Sequence, residues 1–107
     1  MATALLTLSS SANAVNAAKA KPFTYTQASK YVKQAYDVDA LTNSKYNKKS
    51  GNTTRVVVRI GTTNSYGYYN VKRVGKSAHI SNGLLIVKGN SYTLAKVMNN
   101  PKVVKAD

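Results

Sequence analysis

"SAHISNGLLIVKGNSYTLAK", residues 77–96, holds two glycine-containing pairs of the kind that close tight β-hairpins. Asn82-Gly83 is the preferred pair for a two-residue type I′ turn, in which both central residues take positive φ. Gly89-Asn90 suits a type II′ turn, where glycine comes first. Reading both as two-residue loops sets two registers. Ile80 then faces Leu85, and Leu85 faces Leu94. Ala78 faces Val87, and Val87 faces Tyr92. All of these fall on one face, while Ser77, His79, Ser81, Leu84, Ile86, Ser91 and Thr93 fall on the other. Two independent turns that agree on one apolar face predict a three-stranded antiparallel meander.

The same period of two extends upstream. "RVVVRI", residues 55–60, puts Val56, Val58 and Ile60 on one face and Arg55, Val57 and Arg59 on the other. "SYGYYNVKRV", residues 65–74, reads as a second strand, joined to the first through Gly61 to Asn64. Residues 42–52, "TNSKYNKKSGN", are polar and basic and read as a loop. Before them, "TQASKYVKQAYDV" (26–38) spaces Ala28, Tyr31, Val32 and Ala35 as one helical stripe, with Thr26 as the expected N-cap. Asp37 and Asp39 near its C-terminal end oppose the helix dipole or cap a short turn at Ala40-Leu41. The fold class expected is α+β: one N-terminal helix packed on a small antiparallel sheet of four to five strands. A small β-barrel with a peripheral helix is the alternative. "PKVVKAD" at 101–107 is a last edge strand or a frayed tail.

The first twenty residues differ in kind. "ATALLTL" (2–8) is short and apolar. Three serines follow, and then Ala12-Asn13-Ala14, Val15-Asn16-Ala17 and Ala18-Lys19-Ala20 place small residues where a signal peptidase reads them. All sixteen basic residues of the chain begin at Lys19. The expectation is a secretory leader over 1–20, cut after Ala17 or Ala20, and one domain over 21–107. The usual basic start of such a leader is missing from Met1-Ala2-Thr3, and a short helix belonging to the domain is the competing reading. The ending "AVNAAKAK", the lack of cysteine, the many tyrosines and the strong basicity resemble small exported cell-surface and S-layer-associated proteins of lactic-acid bacteria. That resemblance implies a product released outside the cell or held on its surface.

Charge bounds the partners. Sixteen Lys and Arg face three acids, Asp37, Asp39 and Asp107, for a net charge of +13 over 107 residues. A small domain needs a net charge of only about 2–8 for solubility. The excess favours polyanions: an anionic cell-wall polymer, an acidic glycan, anionic lipid or, nonspecifically, nucleic acid. No later apolar run approaches the roughly 20 residues of a transmembrane helix.

Catalytic and metal chemistry find little support. Asp37 and Asp39 stand too close in sequence to flank a glycosidic bond as a catalytic pair. His79 is the only histidine, and nothing resembling a nucleophile elbow surrounds Ser77 or Ser81. With one histidine and no cysteine, no metal site and no cofactor are expected. Gly75-Lys76-Ser77 ends like a phosphate-binding loop, but Asn70 stands where the pattern needs glycine, and a strand is expected where it needs a helix. The expected site is a surface. Arg55, Arg59, Lys72 and Arg73, with a second cluster at Lys45, Lys48 and Lys49, would bind a polyanion. Tyr66 and Tyr68, on one strand face with Lys72, would supply an aromatic platform. The leading function is thus a secreted, non-enzymatic basic domain. A nonspecific nucleic-acid binder and a cationic membrane-active protein are the alternatives.

Overall fold

The structure, a computed structural model, describes residues 21–61, 64–96 and 100–106; the expected leader, residues 1–20, lies outside them. Helix α1 (Tyr25–Tyr36) precedes strands β1 (Lys48–Ser50), β2 (Thr53–Ile60), β3 (Ser65–Val74), β4 (Ser77–Lys88), β5 (Ser91–Lys96) and β6 (Lys102–Lys105). The order across the sheet is β1-β2-β3-β4-β5, with every neighbour antiparallel and β6 also paired with β4. This is the expected α+β class, a helix on an antiparallel meander. Three of its hairpins close with two-residue turns, Gly51-Asn52, Gly75-Lys76 and Gly89-Asn90. Gly89 takes a φ of 60° while Asn90 stays at negative φ, as a type II′ turn requires.

The helix starts earlier than expected. Thr24, not Thr26, is the N-cap, because Gln27 closes a capping box with it. The Gln27 N–H donates to Thr24 Oγ1 at 3.1 Å, and the Thr24 N–H donates to Gln27 Oε1 at 3.0 Å. The helix ends at Tyr36, with Asp37 in the left-handed region at φ 58° and its N–H donating to the Lys33 carbonyl. Lys33 Nζ then pairs with Asp37 at 3.2 Å and Asp39 at 3.5 Å, which offsets the unfavourable placement of two acids at a helix C-terminus.

The Asn82-Gly83 turn does not form. Residues 77–88 are one unbroken strand, in which Asn82 faces Tyr69 and Gly83 faces Tyr68. Neither Asn82 nor Gly83 has positive φ, so the I′ geometry is absent. The reason is tertiary. A Cβ on Gly83 would lie 2.6 Å from Tyr68 Cε2 and Cζ, and it would also meet the Ala95 carbonyl oxygen. The ring of Tyr68 therefore lies directly on bare backbone, as in other tyrosine–glycine cross-strand pairs. The Gly89-Asn90 register holds, with Leu85 facing Leu94 and Val87 facing Tyr92. The expected pairs Ile80–Leu85 and Ala78–Val87 do not form. Ile80 instead faces Val71 and Lys102, and Ala78 faces Arg73 and Val104. Along an uninterrupted strand, Ile80 and Leu85 point to opposite sides.

Each side accordingly has its own core. Against α1, the side chains of Phe23, Ala28, Tyr31 and Val32 pack on Val56, Val71, Ala78, Ile80 and Ala106. On the opposite face, Val57, Tyr68 and Leu85 are buried beneath Leu41 and Tyr46 of the 41–47 segment. Val57 shares a face with Arg55 and Arg59, as expected, yet is wholly buried, while Ile60, on the other face, is exposed. The 42–52 stretch is likewise not all loop, since Lys48–Ser50 pair with β2. At the far edge, 101–107 supplies β6. Tyr36 Oη donates to the Asn100 carbonyl at 2.5 Å, and Lys102 Nζ donates to the Ala35 carbonyl at 2.9 Å, tying this strand to the end of α1.

Two consequences are testable. Gly83→Ala is expected to cost about 1–3 kcal/mol by overpacking. Gly67→Ala, whose Cβ would meet only ordinary contacts at 3.8 Å or more, is expected to be neutral or stabilising in urea melts. Equal effects of the two changes would refute the Tyr68–Gly83 constraint. Burial also raises the Tyr36 phenol above its ordinary value, against a hydrogen bond from Asn82, and burial raises that of Tyr69. The folded state therefore holds these protons more tightly than the unfolded chain. Their contribution is complete below the unfolded pKa of about 10 and is lost as pH rises toward the higher folded values. Melting temperature is expected to fall above that pH, with a shallower slope in Tyr69→Phe; an unchanged slope would show that Tyr69 does not contribute.

Candidate functional site

The sheet face away from α1 forms a grid set by the registers. Its first row runs Thr53, Lys72, His79, Val103 across β2, β3, β4 and β6. The second runs Lys48, Arg55, Asn70, Ser81 from β1 to β4. The third is Val57, Tyr68, Gly83, and the fourth Arg59, Tyr66, Leu85, Leu94. Polarity thus changes along the strands, with polar residues at one end and apolar residues at the other.

The apolar end is rolled shut. Arg55 Nη2 donates to Tyr92 Oη at 2.7 Å, although two strands separate β2 from β5. In a flat sheet that separation alone would be about 14 Å. Arg55 Nε also donates to the Tyr46 carbonyl at 2.9 Å. The Tyr46 ring sits 5.0 Å from Tyr66 and 5.6 Å from Tyr92, so the 41–47 segment and the β4–β5 hairpin close over Tyr68. The barrel alternative does not form among the described strands: the sheet runs open from β1 to β5, and only side chains draw its apolar end together.

The polar end stays open. A concavity of about 480 Å³ is lined by Thr53, Asn70, Lys72, His79, Ile80 and Ser81, with Pro101, Lys102 and Val103 as its wall. A second, of about 210 Å³, is lined by Lys48, Ser50, Thr53, Arg55 and Asn70. Thr53 and Asn70 line both, which joins them into one trough across the strands.

The seven expected cations divide by face. Lys48, Arg55, Lys72 and Arg59 share this face. Lys48 and Lys72 are exposed and make no ion pair among the described residues. Arg59 is exposed over the Tyr66 ring at 5.4 Å. Arg55 is a strut, committed to Tyr46 and Tyr92. Arg73 and Lys49 are on the helix side. The Arg73 guanidinium lies 4.1 Å from the Phe23 ring centroid and donates to the Lys21 carbonyl, so it serves packing. Lys49 Nζ sits 4.8 Å from the Tyr25 ring centroid, and Lys45 lies beside Tyr46 in the covering segment. The expected aromatic platform is not present as a flat surface. Tyr68 is only 6% exposed because Gly83 lets its ring sink into the sheet, and Tyr66 is half-buried between Tyr46 and Arg59.

Sequence reading missed Thr53, Asn70 and Ser81 as parts of a site. The signal was present in β3, where Tyr66, Tyr68, Asn70 and Lys72 share a face that changes from aromatic to polar halfway along.

No acidic residue occurs in any described strand, and the two acids of the helix end are held by Lys33. Lys48 directly opposite Arg55 is a like-charge pair with no carboxylate beside it among the described residues, an unfavourable cross-strand arrangement. Among the described residues, no group of three or more His, Cys, Asp or Glu could hold a metal ion. No described helix is long and apolar enough to cross a membrane. No known protein family, characterised protein or solved structure matches the chain.

The division between strut and free cation can be measured. Arg55→Ala is expected to lower stability by about 1–2 kcal/mol through its lost charge-assisted bonds, and Arg55→Lys by nearly as much, because lysine cannot span both acceptors. Lys48→Ala and Lys72→Ala are expected to stay within about 0.5 kcal/mol. If all four variants melt alike, Arg55 does not hold the roll closed.

Proposed function

We propose that this chain is a non-enzymatic domain that binds anionic polymers outside the cell, with the open end of the sheet face as its contact surface. One observation carries the reading. Lys48 and Lys72 stand exposed at the open end of a face whose described strands contain no carboxylate. Free cations of this kind gain from neutralisation, and their like-charge repulsion is relieved by the same contact.

The extracellular setting is supported by the leader-like composition of residues 1–20 and by the resemblance of its ending to exported surface proteins of lactic-acid bacteria. An anionic wall polymer or acidic glycan is the partner that such a setting supplies. Binding through exposed charges is screened by salt, so attachment should be strong in dilute buffer and weak at about 0.5 M NaCl, where the Debye length is roughly 4 Å.

The test separates a surface from bulk charge. Lys48→Gln/Lys72→Gln and Lys76→Gln/Lys88→Gln remove the same net charge from different places. Two exposed contacts at about 0.5 kcal/mol each make roughly a fivefold loss of affinity for the first variant. The second should lose only a small part of that on an immobilised anionic wall polymer. Equal losses, or retention indifferent to salt, would rule out the proposed surface. Equal losses of affinity for duplex DNA in both variants relative to the parent would assign DNA binding to bulk charge alone.

A further inference from the structure

We propose that the trough seats one sugar unit of an acidic glycan at Lys72, with the chain continuing across β3, β2 and β1 toward Lys48; this deepens the polyanion reading above and rests on it.

The trough is not built as a simple charge sink. Lys102 borders it, but its Nζ is turned to the Ala35 carbonyl at 2.9 Å and lies 5.2 Å from the Tyr36 ring centroid. Within the larger concavity Lys72 is therefore the one cation, among the described residues, whose nitrogen is uncommitted. Around it stand neutral hydrogen-bonding groups, Thr53, Asn70, Ser81 and His79. Asn70 can both donate and accept, and so can Ser81 and Thr53. A cluster of phosphates would call for several converging cations. One cation ringed by amide, hydroxyl and imidazole groups suits a ring that carries one carboxylate and several hydroxyls. Val103, 60% exposed, and Pro101 offer an apolar wall for the C–H face of that ring. The volume of about 480 Å³ lies in the roughly 300–1,000 Å³ range of small-ligand sites.

Lys48 supplies the second anchor. It lies on the same face as Lys72, two strands over and two residues along, or about 12 Å by strand geometry. One ring cannot reach both lysines, but a chain lying across the strands can. The floor between them is Thr53 and Asn70, shared by both concavities. A single-stranded nucleic acid would require exposed rings for base stacking. Tyr68 is only 6% exposed, Tyr66 packs tilted against Tyr46 beneath Arg59, and Tyr92, 37% exposed, stands at the rolled end, so no tyrosine lines the trough.

The test uses hexagalacturonate and a linear polyphosphate of matched charge, titrated calorimetrically into the full chain. Asn70→Ala/Ser81→Ala keeps every charge. It should weaken hexagalacturonate about tenfold, the loss expected for two neutral hydrogen bonds, and should leave polyphosphate within about twofold. Lys48→Gln/Lys72→Gln should weaken both probes. His79→Ala, at an exposed position, repeats the glycan-selective comparison should the double variant unfold. If the charge-neutral variants weaken both probes equally, or neither, the seated sugar is wrong while the polyanion reading stands. If the parent binds neither probe, the polyanion reading falls and this inference with it. A single-stranded DNA of matched charge that binds more tightly than the glycan would also overturn the inference.

Discussion

The ring of Tyr68 resting on the bare backbone of Gly83 fixes the course of β4, and β4 organises the rest of the sheet. It pairs with β3 along one edge and carries β5 and β6 end to end along the other. Glycine inside a strand costs about 0.5–1 kcal/mol relative to alanine. Burying most of a tyrosine ring against it returns about 1.5–3 kcal/mol. A hairpin turn at Asn82-Gly83 would remove that seat and strip Leu84, Leu85 and Ile86 from their β3 partners. The long strand wins over the local turn, and its parity sends Ile80 to the helix side and Leu85 to the other. Two small cores follow in place of one.

That outcome shows how far local sequence carries. The helix, β2, β3 and the Gly89-Asn90 register were legible because periodicity and turn chemistry agreed there with tertiary packing. The Thr24-x-x-Gln27 capping box was equally visible, and Thr26 drew attention only because the helical stripe begins just beyond it. Asn82-Gly83 could not be resolved locally, since its course depends on a tyrosine fourteen or fifteen residues earlier in the chain. Strand β1 had no signal to find: Lys48, Lys49 and Ser50 are all exposed, so no apolar alternation marks them. The basic residues were identifiable as a set, but their division between struts and free charges was not. Arg55 and Arg73 look like Lys72 in sequence, and they differ only in what the fold places beside them.

The division gives the charge two separate uses. At the rolled end, Arg55 links Tyr46 to Tyr92, and Arg59 lies over Tyr66. The arginine fork suits this work, because it bonds in two directions and packs on rings. At the open end, Lys48 and Lys72 project from strands that, among the described residues, contain no carboxylate. The closed end ties β5 and the 41–47 segment to β2, and the same strands carry the free lysines and the polar floor. A site carried on strands keeps its geometry better than one on loops. On this reading the excess charge works through position as well as through its sum.

The most direct measurement is amide chemical-shift mapping of the full chain during titration with an anionic oligosaccharide in dilute buffer. Shifts concentrated at Lys48, Thr53, Asn70, Lys72 and His79, with α1 and the β4–β5 turn quiet, are the expected result. Shifts of similar size spread over α1, Lys76 and Lys88 would contradict a localised surface and leave only diffuse attraction between a basic protein and a polyanion.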